Sequence, residues 1–138
     1  MKKKINLLLL FISLISLSYG QSLKVNNYSD EFIKSCIIEV FQEHSDNLVF
    51  NNDTKRFEVL KEFMSRVLIE YRPKNIGEKM PSIYNFKLNN KYNKNLKYDD
   101  LYQKLSFNPL KYNFNMYPKV IKTFRIDNDY IISINPSN

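Results

Sequence analysis

The sequence predicts an α+β fold, in which two N-terminal helices pack on a mostly antiparallel sheet of about four strands. Two observations support this prediction. In the first half of the chain after the leader, apolar residues recur at three- and four-residue spacing, which is the period of an amphipathic helix. In the second half they alternate with polar residues, which is the period of a strand.

The first helix is predicted from Asp30 to His44. Ser29 precedes it and suits a helix N-cap, because its hydroxyl can accept a hydrogen bond from a backbone N–H of the first turn. Asp30 and Glu31 complement the positive end of the helix dipole. The apolar positions at helical spacing are Phe32, Ile33, Cys36, Ile37, Val40 and Phe41.

The second helix is predicted over residues 54–71 and ends before Pro73, because the residue preceding a proline avoids the helical region. Glu62 and Arg66 are four residues apart and form a favourable ion pair on its outer face. The inner stripe comprises Phe57, Leu60, Met64, Val67, Leu68 and Tyr71.

Alternating runs predict strands at residues 84–88, 110–116, 120–126 and 130–134. Asp127 to Asp129 separate the last two runs and predict a hairpin turn. Residues 99–105 predict a short helix that begins at Asp99. This order of elements is compatible with a curved-sheet cone of the cystatin-like or nuclear-transport-factor-like kind, which is an analogy of element order alone.

The chain opens with the three parts of a secretory signal peptide. Three lysines at positions 2–4 precede an apolar run over residues 5–17, and Ser18 and Gly20 are small residues suited to cleavage before Gln21. The apolar stretch makes roughly 22 Å of helix, which is shorter than the ~30 Å hydrocarbon core of a bilayer. Residues 1–20 are therefore predicted to be removed, leaving a single secreted or periplasmic domain at residues 21–138.

Composition limits how this domain can be held together. The full chain carries 21 basic and 14 acidic residues, a formal charge of +7, and three of the basic residues lie in the leader, so +4 remains after cleavage. Most of the basic excess lies after residue 72. Cys36 is the only cysteine, so no internal disulfide can form and the apolar core must stabilise the fold. We expect Cys36 to be a buried small apolar residue.

Several chemistries are excluded by missing residue types. Gly77 is the only glycine after the leader, so glycine-rich phosphate loops and dinucleotide-binding motifs are absent. One cysteine and one histidine cannot build an ordinary structural zinc site. We therefore expect no cofactor and no bound metal.

The stretch from Tyr84 to Tyr98, "YNFKLNNKYNKNLKY", combines four lysines, four aromatic residues and five asparagines with no acidic residue. It predicts either a solvated connection or a surface that contacts an anionic glycan, an anionic lipid surface or a protein partner. Nucleic acid is disfavoured because the chain is exported and the stretch contains no arginine. The candidate contact residues are Lys91, Tyr92, Lys94, Lys97 and Tyr98.

Two functional hypotheses follow. The first is a small exported binding or interaction domain without a catalytic site. The alternative is a small pocket enzyme, a hydrolase or isomerase, in which His44 works with Asp99, Asp100 or Asp127. Cys36 is not a partner for His44, since eight residues of one helix separate the two by about 12 Å.

Export generates a direct prediction. Expressed from its full 138-residue sequence in a secreting host, the chain should be recovered outside the cytoplasm with Gln21 as its first residue, as read by N-terminal sequencing or intact mass. Replacing Gly20 with a bulky residue should block cleavage, because the cut site requires a small residue there. Recovery of the uncleaved chain in the membrane fraction would contradict the prediction.

Overall fold

The computed structural model describes residues 27–51 and 55–137, and every structural statement below refers to them. The predicted signal peptide lies outside the described residues. The regular elements are helices α1 (Asp30–Phe41) and α2 (Arg56–Ser65) and strands β1 (Val67–Tyr71), β2 (Lys122–Arg125) and β3 (Tyr130–Ile134). Over these same residues, no helix combines the length and the apolar character needed to cross a bilayer.

Helix α1 begins where the sequence predicts. The Ser29 hydroxyl accepts a hydrogen bond from the Phe32 N–H at 3.2 Å. The α-helix ends at Phe41, three residues before the predicted end at His44, because Gln42 adopts a positive φ of 51° that interrupts it. A separate 3₁₀ turn spans Gln42–His44. Cys36 lies on the buried face and is 3% exposed. Burial raises the pKa of its thiol to about 12, so Cys36 packs as a small apolar side chain, as predicted.

The second helix is shorter than predicted. Helix α2 ends at Ser65, and residues 67–71 form strand β1 instead of two further helical turns. The prediction was wrong because a short apolar run fits the helical and the extended period equally well. Val67 and Ile69 are β-branched, which favours a strand. Pairing with β3 gives this segment hydrogen-bonding partners for its backbone N–H and C=O groups, some of which would have none at a helix end.

Three strands, not four, form the antiparallel sheet of the described residues, in the order β1–β3–β2. Strand β3 is central, and both Ile131 and Ile132 are buried although they point to opposite faces. The predicted hairpin turn between β2 and β3 is confirmed, because the Asp127 Oδ1 accepts hydrogen bonds from the N–H groups of Asp129 and Tyr130, both at 2.8 Å. The α+β class is therefore confirmed.

Two predicted strands and one predicted helix are not regular structure. The predicted strands at residues 84–88 and 110–116 both begin inside 3₁₀ turns, which span Ile83–Asn85 and Pro109–Lys111. The two segments meet at a single bridge between Leu88 and Tyr112. Residues 99–105 contain no helix. Alternation nevertheless predicted part of the burial in 110–116, since Tyr112 and Phe114 are buried and Asn113 is exposed. Lys111, which alternation places on the outer face, is also buried, because its ammonium pairs with Asp99.

Arg66 connects α2 to the rest of the fold. Its guanidinium forms a two-pronged ion pair with Glu62, at 2.6 and 3.0 Å, which confirms the predicted pair. It also donates to the carbonyls of Asn135 at 2.7 Å and Met116 at 2.6 Å. The sequence predicted an outward-facing pair, whereas Arg66 is only 9% exposed because the chain turns into β1 directly after it.

Replacing Arg66 by lysine should lower the free energy of unfolding by about 3 kcal/mol, because an ammonium cannot donate to Glu62, Met116 and Asn135 in the geometry of the fork. Chemical denaturation measures this change. Arg72→Lys is the matched control, since the Arg72 side chain is 53% exposed and lies 3.8 Å from Glu78. It should cost no more than about 0.5 kcal/mol. Equal losses in the two variants would show that Arg66 does not tie the elements together.

Candidate functional site

The lysine- and asparagine-rich stretch is anchored to the body of the protein by two asparagines. Asn89 donates from its side-chain amide to the carbonyls of Leu110 at 2.8 Å and Tyr112 at 3.2 Å. Asn93 donates to the Glu39 carbonyl of α1 at 2.7 Å. These amides satisfy backbone carbonyls that no sheet or helix would satisfy. The stretch is a connection, and its asparagines fix it in place instead of loosening it.

Tyr92 is the centre of an aromatic cluster at the end of α1. Its ring stacks on Phe41 with the centroids 5.6 Å apart and lies 5.0 Å from the His44 ring. The Lys91 ammonium lies 5.0 Å from the centre of the Tyr92 ring, within the range of a cation–π contact. The cluster therefore positions a positive charge directly beside the helical layer.

A cleft of about 320 Å³ opens between α1, α2 and the paired segments around residues 89–92 and 110–116. Its lining residues are Val40, Phe41, Leu60, Phe63, Asn89, Lys91, Tyr92, Leu110, Tyr112, Asn113, Phe114 and Met116. The most buried of these form an apolar floor, and the half-buried or exposed ones form the rim. Volume and composition fit a small-molecule site, which is typically apolar with a few polar groups at fixed places.

The polar side chains of the rim come from two neighbouring segments. Asn89, Lys91 and Asn113 lie together because the Asn113 N–H donates to the Lys87 carbonyl at 2.9 Å and the Asn89 N–H donates to the Lys111 carbonyl at 2.7 Å. Phe41 and Leu60 line the helical side of the same opening. The cleft is therefore amphipathic, with its charge on one side and its apolar surface on the other.

The structure brings only part of the predicted contact set to the cleft. Lys91 and Tyr92 line it, whereas Lys94 and Lys97 are exposed residues outside its lining. Tyr98 has a structural role, because its hydroxyl donates to the Phe86 carbonyl at 2.8 Å. The helical lining of the cleft was not predicted, because apolar spacing identifies which side chains point inward but not a gap between them.

Lys111 and Tyr112 of the segment 110–116 belong to a buried network of charged and polar side chains. The Lys111 ammonium pairs with Asp99 at 2.8 Å, with side-chain exposures of 7% and 17%. The Tyr112 hydroxyl donates to the other Asp99 oxygen at 2.6 Å, and Glu39 lies 4.0 Å from Lys111. Burial, followed by the hydrogen bond to Asp99, raises the pKa of Tyr112 above its usual range. Asp99 therefore holds Lys111 and Tyr112 instead of capping a helix.

The groups named for the enzyme alternative are not assembled around His44. The His44 side chain is 49% exposed, and the carboxylate paired with it, at 3.9 Å, belongs to Glu43. Asp99 is occupied by Lys111 and Tyr112. Asp127 accepts the N–H groups of its own turn. Across residues 27–51 and 55–137, no cluster of three His, Cys, Asp or Glu residues could hold a metal ion.

Comparison with protein-family models, with curated proteins and with solved structures yields no match to this chain. The likeness to a cystatin-like or nuclear-transport-factor-like cone therefore stays a prediction.

Replacing Asp99 by asparagine should lower the free energy of unfolding by roughly 3 kcal/mol, because Lys111 would remain buried without its close carboxylate. Asp100→Asn removes the same charge from the adjacent, exposed residue and should cost no more than about 0.5 kcal/mol. Thermal or chemical unfolding of both variants measures the difference. If Asp99→Asn proved as mild as Asp100→Asn, the network would have no stabilising role.

Proposed function

We propose that the chain is a small exported binding domain without catalytic activity, which takes an anionic ligand in the cleft beside Lys91 and Tyr92. The leader sequence supports export. One observation carries the binding proposal: an open apolar cleft has a lysine on its rim that forms no ion pair with any carboxylate in the described part of the chain.

The charge at the rim favours an anion. Lys91 is exposed, and its contact in the fold is the Tyr92 ring, which is a weak partner compared with a carboxylate. An anionic group in the cleft would be partly desolvated by Tyr92 and Phe41, and the Coulomb attraction to Lys91 would strengthen as water is displaced. Lys94 and Lys97 lie outside the lining and would contribute only a general positive potential, which salt screens.

The proposal is tested by fluorescence titration of the exported, processed chain with anilinonaphthalene sulfonate, an aromatic anion. Lys91→Glu should weaken binding at least tenfold, because a charge-assisted contact is replaced by repulsion. Lys94→Glu is the matched control, since it changes the net charge equally outside the cleft, and it should change affinity less than about threefold.

Circular dichroism in the near ultraviolet shows whether each variant keeps its packed aromatic core. Equal weakening by Lys91→Glu and Lys94→Glu would mean that binding follows diffuse charge, and the cleft would lose its role. Absence of dye binding by the folded chain would remove the proposed function.

A further inference from the structure

We propose that the ligand of the cleft is a single-chain alkyl carboxylate of medium length, with its chain on the apolar floor and its carboxylate at Lys91. This inference rests on the proposed function and names its ligand. It combines three properties of the cleft: an apolar floor, a volume that limits the chain, and a rim whose free donors match one carboxylate.

The floor favours an apolar ligand body. Val40 and Phe63 from the helices face Phe114 across the cleft, and all three are at most 5% exposed. Their side chains contain no polar atom, so they offer no hydrogen-bonding partner to a sugar or a peptide backbone. A polar ligand body there would lose its water without compensation. An alkyl chain has no such cost.

The volume limits the length of that chain. An apolar cavity of about 150 Å³ accommodates one benzene molecule. The cleft, at about 320 Å³, is about twice that size, so it has space for roughly a dozen carbon atoms. One medium-length chain fills this space, whereas a two-chain lipid would leave most of its apolar surface in water.

The rim matches a carboxylate better than a phosphate. Both amide hydrogens of Asn89 are used by the carbonyls of Leu110 and Tyr112, so its side chain offers no donor to a ligand. The donor groups that remain are the Lys91 ammonium, the exposed Asn113 amide and the Tyr92 hydroxyl. They carry one positive charge between them, which matches the single negative charge of a carboxylate. A phosphate dianion would stay under-neutralised.

The test is displacement of the bound dye by a series of saturated acids from hexanoate to palmitate, kept below their micelle concentrations. Affinity should rise about fourfold per added methylene, as expected for burial of each group, and should level off near a dozen carbons. Decanoate should bind at least tenfold more tightly than decylamine, whose ammonium meets Lys91.

Two substitutions locate the chain and the head group. Lys91→Met removes the charge but keeps a side chain of nearly the same length, so it should erase the preference for decanoate over decylamine while the dependence on chain length persists. Leu60→Trp fills the helical side of the cleft and should weaken the whole series at least tenfold. Its control is Val59→Trp, because Val59 is the adjacent residue, is 40% exposed and lies outside the lining.

The outcomes separate this inference from the proposed function. Affinity that does not change with chain length, or decylamine binding as well as decanoate, would overturn the alkyl carboxylate. Dye binding that depends on Lys91 without any displacement by the acids would also overturn it, yet would leave an anion-binding domain. Loss of both dye and acid binding in a folded chain would overturn both.

Discussion

The direct passage from helix α2 into strand β1 is the constraint on which the rest of the structure depends. No loop separates Ser65 from Val67, so one residue must end the helix and begin the sheet. Arg66 does both, because its carbonyl accepts the Asn135 N–H while its guanidinium returns to Glu62 and reaches Met116. The buried positive charge of Arg66 is tolerated because each hydrogen bond that its guanidinium donates ends on a carboxylate or a carbonyl oxygen.

This connection also sets the dimensions of the cleft. Leu60 and Phe63 lie on α2 within two turns of Arg66, and Met116 lies on the opposite wall, where its carbonyl accepts from the same guanidinium. The irregular segment around residues 110–116 is paired by a single bridge, so the side-chain amide of Asn89 supplies further hydrogen bonds to the carbonyls of Leu110 and Tyr112. The hydrogen bond from Arg66 therefore fixes α2 relative to Met116, and the hydrogen bonds from Asn89 fix the segment 110–116 on the opposite side of the cleft.

Local signals in the sequence predicted the parts of the fold that local interactions determine. The Ser29 cap, the Glu62–Arg66 pair, the turn at Asp127 and strand β3 each depend on residues close in the chain, and each is confirmed. Strand β1 was not predicted because its apolar residues fit the helical and the extended period equally well. Pairing with β3, some 60 residues later in the chain, selects the extended conformation. Alternation in 110–116 predicted the burial of Tyr112 and Phe114, but neither that of Lys111, which depends on its ion pair with Asp99, nor the backbone, since a buried side chain does not require a ladder.

The cleft was predictable only through its polar rim. Lys91 and Tyr92 could be identified because basic and aromatic residues recur in that stretch. The gap above Phe63 and Phe114 arises where the side chains are too small to fill the space between the backbone segments, and composition does not predict where this happens. Such a gap leaves apolar surface unpacked and so costs stability. A ligand that occupies it would raise the free energy of unfolding by an amount that grows with the logarithm of the ligand concentration divided by its dissociation constant. In a domain without disulfide bonds, binding of the proposed ligand would therefore be coupled to folding stability through the same apolar floor.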